Sequence, residues 1–488
     1  MPSKLTRVAA APFLTGCLLI APMPCAHAQT QAQGISAEEA ALLRAQVAAL
    51  KEQVERMEAR LASASGPALA VAPMVPAPVP TTSAPATPPP PTAAAPTSAT
   101  SPSVATTAIA WKGSPQFTSG ARSFKVKGRI QADANYVAAP RGLDDKGLGF
   151  STEMRRIRLG GEGGIGGGFG YKLELELSDN VVDLVDTYVS YKHGPWTVKL
   201  GNQNPFQSLD ELTGDTTGSV MERAAFTDAF NFERRLGISA QYMRGPWLAQ
   251  LGLFSDDIGA LANDADGVEG GDENNSHGID TRLVFAPMLG GTQLHFGGSA
   301  HWRDLARLAE GTTRYRQRPF VHSTNTRLIG TPAMQVEQEF NWGVEIAAIR
   351  GRWHAAAEYN RLTSDRVGLP SVSFQGAYAE LGLFLTSGDS RGYKEGIFTT
   401  KAPAHPLGES GIGSVQFTLR YDWLDLNDRD IRGGTQNGYI AALVWTPVEY
   451  LRFNLNYALL AYNGAKALDS GRTDYSVNVI GTRFELDF

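Results

Sequence analysis

Residues 124–136, FKVKGRIQADANY, alternate strictly between two kinds of side chain. Every even-numbered position is apolar or small, and every odd-numbered position is polar or charged. A period of two predicts a β-strand with one apolar face and one polar face. The same alternation recurs in YKLELEL (171–177), SVQFTLRYDWL (414–424), LRFNLNY (451–457) and RFELDF (483–488). We therefore expect an all-β fold from residue 122 to residue 488.

The length of these runs decides between two architectures. Strands of soluble sandwiches and propellers are usually about five or six residues long. The runs here last about nine to thirteen residues, which is the length of a tilted transmembrane strand. Because lipid offers no partners to backbone polar groups, such a sheet must close into a barrel. At about 20 to 24 residues per strand with its connections, roughly 365 residues predict an antiparallel barrel of about 16 to 18 strands, wide enough to enclose water.

Composition excludes several functions. The net charge is −5 and charged residues make up 19% of the chain, so nucleic acid is not an expected partner. Both cysteines, Cys17 and Cys25, lie at the N-terminus, which leaves the rest of the chain without a disulfide or a cysteine nucleophile. A hydrolase built into the barrel wall is the enzyme alternative, but no serine–histidine motif and no HExxH metal motif is present. We predict no enzymatic activity, no cofactor and no metal site.

The N-terminus carries an export signal. A basic region around Lys4 precedes the apolar stretch VAAAPFLTGCLLIAP and the small-x-small site AHA. This order predicts a signal peptide over residues 1–28, with cleavage before Gln29. The tetrapeptide LTGC, which ends at Cys17, leaves a lipoprotein processing box as the alternative.

Two further segments precede the predicted barrel. In residues 29–65, apolar side chains recur at spacings of four and three from Leu43 to Leu61, which predicts a short coiled coil. A single solvated amphipathic helix is the alternative. Residues 66–121 are rich in Pro, Ala and Thr, which predicts an extended spacer, with protein binding by the prolines as the alternative. In the periplasm, the coiled coil would self-associate or contact the cell wall, so an outer-membrane tether remains a second candidate function.

The barrel region resembles one family of bacterial porins. From GRIQAD (128–133) and EMRRIRLGGEG (153–163), through FGYKLELELS, WTVKLGNQNPF, SVMERA, WRDL and GAYAELGLFLTSG, to the final RFELDF, the chain resembles the phosphate-selective porin O and P family. The resemblance implies a 16-stranded homotrimeric porin of the bacterial outer membrane, in contact with membrane lipid and lipopolysaccharide. It also implies that an inward-folded loop narrows the pore and that an arginine ladder draws small anions or solutes, phosphate among them, through it.

The resemblance also implies a set of pore-lining, anion-binding residues. Carried over by position, they are Arg129, Arg156, Lys199, Arg223, Arg303, Arg314, Arg316 and Arg318. Alternation adds Arg158, which shares a strand face with Arg156. Guanidinium groups form charge-assisted, bidentate hydrogen bonds with oxyanions, and rows of them favour anions in pores. The alternative is that these arginines solvate the lumen or pair with nearby acids.

Acidic residues depart from this pattern. Asp186 matches an acidic position at the family's constriction, but Glu211 stands where phosphate-binding members carry a lysine. Asp210 and Asp215 add negative charge, and a second family lysine is replaced by Thr216. A carboxylate facing the pore repels phosphate and favours cations. The sequence therefore predicts a channel for passive diffusion and leaves anion-preferring and non-selective or cation-preferring pores as alternatives.

Overall fold

The computed structural model describes residues 107–178, 180–256, 258, 276–305, 312–409 and 411–488. The predicted signal peptide, the predicted coiled coil and most of the predicted linker lie outside the described residues. Among the helices of the described residues, none is long and apolar enough to cross a bilayer.

The described residues form twenty-one strands and three short helices. The strands are β1 (Ala108–Trp111), β2 (Pro115–Ser119), β3 (Arg122–Val137), β4 (Gly149–Gly166), β5 (Phe169–Glu176), β6 (Asp183–His193), β7 (Trp196–Gln203), β8 (Arg235–Arg244), β9 (Trp247–Phe254), β10 (His277–Phe285), β11 (Met288–Leu289), β12 (Thr292–Asp304), β13 (Val336–Arg350), β14 (Trp353–Arg366), β15 (Leu369–Phe384), β16 (Gly392–Lys394), β17 (Ile397–Thr399), β18 (Ser414–Asp428), β19 (Ile431–Val448), β20 (Leu451–Asn463) and β21 (Tyr475–Asp487). The helices are α1 (Leu209–Leu212), a 3₁₀ helix (Asp215–Thr217) and α2 (Ala225–Ala229).

Sixteen of these strands form one closed antiparallel barrel. Strands β3 to β10, β12 to β15 and β18 to β21 each hydrogen-bond to their neighbours along the chain. Strand β21 then pairs with β3, with Arg483 opposite Asp133, and closes the ring. Closure gives each barrel strand a hydrogen-bonding partner on both sides, as lipid requires. The predicted all-β barrel of about 16 strands is confirmed.

The sheet begins earlier in the chain than predicted. Strands β1 and β2 lie within residues 66–121, the stretch predicted as linker, and β2 pairs with the start of β3. The aromatic and β-branched side chains of Ile109, Trp111 and Phe117 give this stretch a preference for strand over spacer. Among the described residues, the sheet therefore starts at Ala108.

Apolar side chains face outward from the barrel and polar side chains face inward, as the alternation predicted. On β3, Phe124 and Tyr136 are 39% and 49% exposed, whereas Gln131 and Asp133 are 0% and 4% exposed. At the outer surface, aromatic pairs lie beside the short turns, such as Trp196 with Tyr242 at a ring-centroid distance of 4.8 Å. Such pairs are typical anchors at a membrane interface.

The connections differ between the two ends of the barrel. We call the end where β3 begins and β21 finishes the terminal end, and the opposite end the loop end. Two-residue turns such as 194–195 and 245–246 join strands at the terminal end, whereas the long connections 204–234 and 305–335 leave from the loop end. This asymmetry is usual for outer-membrane barrels. The connection 385–413 departs from it, because it is long and leaves from the terminal end.

Two connections fold back into the barrel from the loop end. We call residues 204–234 the inner loop and residues 312–335 the arginine segment. Phe226 of the inner loop and Tyr315 of the arginine segment are fully buried. Their rings contact aromatic side chains of β15 at centroid distances of 6.3 and 5.3 Å. These apolar contacts hold both segments inside the barrel, which explains why the inward polar residues are buried.

Candidate functional site

A cavity of about 250 Å³ lies inside the barrel between the inner loop and the wall. Its charged lining contains seven arginines, namely Arg155, Arg156, Arg223, Arg318, Arg391, Arg420 and Arg483. It also contains seven carboxylates, namely Asp210, Glu211, Asp215, Glu222, Asp228, Glu380 and Asp422. The two sets cancel in formal charge, so the placement of the charges decides which ions they attract. Five of the carboxylates belong to the inner loop, and four of the arginines belong to barrel strands.

The first part of the inner loop is held by a carboxylate of the wall. Ser208 caps α1, and its hydroxyl accepts a hydrogen bond from the backbone N–H of Glu211 at 3.2 Å. The backbone N–H groups of Leu209 and Asp210 donate to the carboxylate of Glu358 on β14, at 2.9 and 2.7 Å. A carboxylate at the start of a helix satisfies donors that the helix itself leaves free. This contact fixes α1 and its acidic side chains against the wall.

Four arginines surround one carboxylate of the inner loop. Asp215 Oδ2 lies 2.8 Å from Arg156 Nε, 3.2 Å from Arg129 Nη1 and 3.6 Å from Arg158 Nη1. Asp215 Oδ1 lies 3.9 Å from Arg223 Nη2. Burial by itself would raise the pKa of Asp215, but Arg156 and Arg129 outweigh it and hold that pKa well below its ordinary value. We call Arg129, Arg156, Arg158 and Arg223 the arginine cluster; all four are among the predicted site residues.

Glu211 also faces an arginine. Its Oε2 lies 3.3 Å from Arg223 Nε, and its side chain is 8% exposed. Burial raises the pKa of Glu211 to about 7, against the opposing effect of Arg223 and Arg234. Glu211 therefore lines the cavity, and Arg223 of the inner loop lies beside its carboxyl group.

The second part of the inner loop is bound at the barrel seam. Arg483 on β21 forms an ion pair with Glu222 Oε1 at 2.5 Å and donates to the backbone carbonyl of Met221 at 2.8 Å. Arg155 on β4 approaches the same Glu222 oxygen at 3.8 Å. Burial alone would raise the pKa of Glu222, but Arg483 and Arg155 lower it to about 2. Glu222 is consequently an ionised anchor for the loop.

Arg420 on β18 connects the wall to α1. Its Nη2 lies 2.7 Å from Glu380 and 2.9 Å from Asp210, and its guanidinium lies 4.3 Å from the ring centroid of Tyr378. Neither Arg420 nor Arg483 was among the predicted site residues. Both stand at polar positions of alternating runs, in SVQFTLRYDWL and RFELDF, and this alternation is the signal that would have found them.

Asp186 and Lys199 are among the predicted residues that lie outside the cavity lining, as are Arg129 and Arg158 of the arginine cluster. Asp186 forms ion pairs with Lys172 Nζ and Arg234 Nε, each at 2.7 Å. Lys199 on β7 lies over the ring of Tyr188, 4.7 Å from its centroid. These side chains belong to β5, β6 and β7 and to the end of the inner loop, where the wall is stabilised by its own ion pairs. The structure therefore does not bring Asp186 and Lys199 into the cavity.

The arginines predicted at the end of β12 and in the arginine segment are separated from one another. Arg303 pairs with Asp256 at 2.6 Å and does not line the cavity. Arg318 lines it, whereas Arg314 and Arg316 line a second cavity of about 340 Å³. These three arginines stand at alternate positions of TRYRQR (313–318), which in a regular strand would place them on one face, but the stretch forms isolated bridges instead of a regular strand.

A further segment enters the lumen, this time from the terminal end, and it was not predicted from the sequence. Residues 391–399, which we call the inner hairpin, contain β16 and β17. Arg282 Nη2 on β10 donates to the carbonyl of Gly396 at 2.8 Å, and His295 Nδ1 on β12 lies 2.6 Å from the hydroxyl of Tyr393. Arg391 hydrogen-bonds to the carbonyl of Thr217 in the inner loop. The inner hairpin thus contacts both the wall and the inner loop.

A closed 16-stranded antiparallel barrel with apolar side chains outside, a charged lumen and an inward-folded loop defines an outer-membrane channel. The chain belongs to the family described as phosphate-selective porin O and P, whose model matches residues 124–488. Family membership and fold together indicate a channel rather than an enzyme.

Individual relatives are similar in different degrees. An uncharacterized protein of Caulobacter vibrioides is 56% identical over 454 residues, which covers 93% of this chain and 91% of that protein. Among solved structures, OmpT of Vibrio cholerae has a TM-score of 0.48 at 10% identity, over 76% of this chain and 99% of that chain. An anion-selective porin from Comamonas acidovorans has a TM-score of 0.46 at 13% identity, over 75% of this chain and 100% of that chain.

Proposed function

We propose that this protein is a homotrimeric diffusion channel of the outer membrane that passes small hydrophilic solutes and prefers anions. The observation that carries the proposal concerns hydrogen-bonding atoms at the cavity. Among the described residues that line it, the buried atoms without a hydrogen-bond partner include Nε of Arg155, Nε of Arg391 and Nη1 of Arg420, and none is a carboxylate oxygen. The hydrogen-bonding capacity left unused at the cavity wall therefore includes N–H donors and no carboxylate acceptor, which favours an anion over a cation.

The balance of formal charge does not contradict this preference. The carboxylates of the inner loop are turned toward arginines, as in the pairs of Glu211 with Arg223 and of Glu222 with Arg483. Arginine presents five N–H donors, so one ion pair leaves donors for a further ligand. The carboxylates have fewer acceptor sites, and arginines of the wall and of the inner loop itself occupy them. This asymmetry supports anion preference over the cation preference that Glu211 suggested in the sequence.

The outer face supports the proposed surroundings. Large apolar side chains such as Leu251, Leu283 and Leu419 are more than half exposed on the barrel exterior. Membrane lipid and lipopolysaccharide are the partners that such a belt requires. Phosphate is a candidate permeant because the family description names it.

The reversal potential of single channels in a planar bilayer, measured under a tenfold KCl gradient, tests the proposal. We expect the sign of anion preference, and a smaller potential for Arg155→Gln. The matched control is Arg352→Gln, which removes the same charge from the exposed turn between β13 and β14 and leaves the potential unchanged. A potential of zero or of the cation sign in the unmodified protein would overturn the proposal.

A further inference from the structure

A carboxylate of the protein itself, that of Asp215, occupies the arginine cluster. Asp215, in the 3₁₀ helix of the inner loop, presents its carboxylate to side chains from β3, β4 and the inner loop. Its side chain is 11% exposed, so the contacts are largely removed from water. A carboxylate in contact with several guanidinium groups has the geometry that a small free oxyanion would adopt there.

One member of the cluster depends on Asp215 for its counter-charge. Arg156 is buried, and its Nη1 donates to the neutral amide oxygen of Gln131 at 2.8 Å. Its ion pair with Asp215 is the closest in the cluster, at 2.8 Å. The other wall arginines also pair with carboxylates elsewhere: Arg129 with Asp487 at 3.2 Å and Arg158 with Glu176 at 2.8 Å. Removal of the Asp215 charge would leave a buried cation with vacant donors.

The backbone around Asp215 is held at separate points. Thr216 Oγ1 donates to Asp487 at 3.1 Å, and Arg452 Nη2 donates to the carbonyl of Gly218 at 2.9 Å. The carboxylate of Asp215 itself forms ion pairs with arginines and accepts a hydrogen bond from Arg129 Nη1 at 3.2 Å. A neutral side chain of the same size can therefore take its place while these backbone and side-chain contacts persist.

We propose that Asp215 is a tethered counter-anion, which fills the arginine cluster and competes with free oxyanions, carboxylates or phosphate, for that site. This inference rests on the proposed function, because the cluster lies beside the anion path. It adds that the native protein passes oxyanions without retaining them, since each must displace Asp215 to bind. Weak retention suits conduction, which requires a permeant to leave a site as readily as it enters.

Block of chloride current by phosphate and by acetate, each titrated separately, tests the inference with the full barrel in a planar bilayer. In Asp215→Asn we expect half-maximal block by at least one of these oxyanions at a concentration at least tenfold lower than in the unmodified protein. Asp430→Asn is the matched control, because it removes a carboxylate from the exposed turn between β18 and β19 and leaves block unchanged. Unchanged block by both oxyanions in Asp215→Asn overturns the inference.

A second measurement applies if Asp215→Asn does not fold. Gly214→Cys places a thiol next to Asp215; the added side chain meets Thr217 Oγ1 at 3.5 Å, an ordinary contact, and φ at Gly214 is −58°. Both native cysteines precede Gln29, so this thiol is unique in the cleaved chain. Phosphate that displaces Asp215 should raise the rate at which a neutral maleimide labels Cys-substituted protein. A rate that is independent of phosphate contradicts the inference.

These readouts separate two failures. The reversal potential in the unmodified protein reports the proposed anion preference and does not require displacement of Asp215. The thiol-labelling rate reports displacement and does not require ion flow. If the unmodified pore prefers cations but the labelling rate depends on phosphate, only the proposed function is refuted. If the pore prefers anions but shows neither stronger block in Asp215→Asn nor phosphate-dependent labelling, only the role of Asp215 as a tethered counter-anion is refuted.

Discussion

Arg483 and Asp133 form a bidentate ion pair across the seam where β21 meets β3. Arg483 Nε donates to Asp133 Oδ1 at 2.7 Å, and Nη2 donates to Oδ2 at 2.8 Å. The side chains are 2% and 0% exposed. The same guanidinium also binds Glu222 of the inner loop. One arginine therefore joins the closure of the barrel to the position of the loop.

Loss of this arginine should weaken the barrel markedly. Arg483→Met leaves Asp133 and Glu222 without their shared partner, and breaking a buried pair in this way costs about 3–5 kcal/mol. The free energy of unfolding in urea, measured in lipid vesicles, checks this value. The double variant Arg483→Met, Asp133→Asn should recover part of the loss, because one uncompensated charge is removed. Equal destabilisation of the single and double variants would contradict the role assigned to the pair.

Anion preference should change near neutral pH through Glu211. Its pKa is raised to about 7, so the neutral form is favoured in the folded loop and the associated stability is lost as pH rises through about 7. Below that pH the cavity loses one negative charge, and the reversal potential should shift toward stronger anion preference. Measurements at pH 5.5 and pH 8.5 check the shift.

Glu211→Gln should reduce this pH dependence and strengthen the anion preference at pH 8.5, although Asp422 also lines the cavity and keeps its carboxyl group in this variant. His322 also lines the cavity, and its Nδ1 lies 2.9 Å from Glu153. His322→Gln is therefore the necessary comparison. If His322→Gln removes the pH dependence and Glu211→Gln does not reduce it, the assignment to Glu211 is wrong.

The inner hairpin should be loosened by one added methyl group. Gly396 has φ +79°, and a Cβ there would lie 2.5 Å from Leu248 Cδ2. In Gly396→Ala this close contact is combined with a backbone conformation that alanine rarely adopts, which should destabilise the inner hairpin by about 1–3 kcal/mol. We expect more frequent conductance steps in single-channel records, because the inner hairpin leaves the lumen more often.

Gly408→Ala provides the control for backbone strain alone. Gly408 lies in the same connection with φ +83°, but no atom is within 4 Å of its added Cβ. The variant should show the conductance steps of the unmodified protein. Identical records for the two alanine variants would mean that contact at the wall does not hold the inner hairpin.

The start of α1 should depend on Glu358 more than on Ser208. Glu358→Ala leaves two backbone N–H groups, those of Leu209 and Asp210, without their acceptor, and each unsatisfied buried donor costs about 1–3 kcal/mol. Ser208→Ala removes one cap and should cost about 1 kcal/mol. Protease cleavage within the inner loop, measured on detergent-solubilised barrels, should therefore be faster in Glu358→Ala. Faster cleavage in Ser208→Ala would contradict this order.

Motifs and the alternation of polar and apolar residues were sufficient to identify some of the site residues but not the others. Arg156 and Arg158 were identified from a motif and a strand face, and both form ion pairs with Asp215 of the inner loop inside the barrel. Lys199 was identified in the same way, but its neighbours turn it onto a tyrosine ring. The inner hairpin went unnoticed because its strands are three residues each, too short for alternation to be recognised.

The sequence by itself determined the barrel. A period of two sustained over about nine to thirteen residues makes one face apolar and one polar, and a bilayer admits such strands only in a closed sheet. The tertiary structure alone decided which charges meet. Asp215 reaches arginines of β3 and β4 because the inner loop folds across the lumen, and no spacing in the chain encodes that contact. Coulomb interaction depends on distance in space, so charge pairing inside the barrel follows from how the loop packs against the wall.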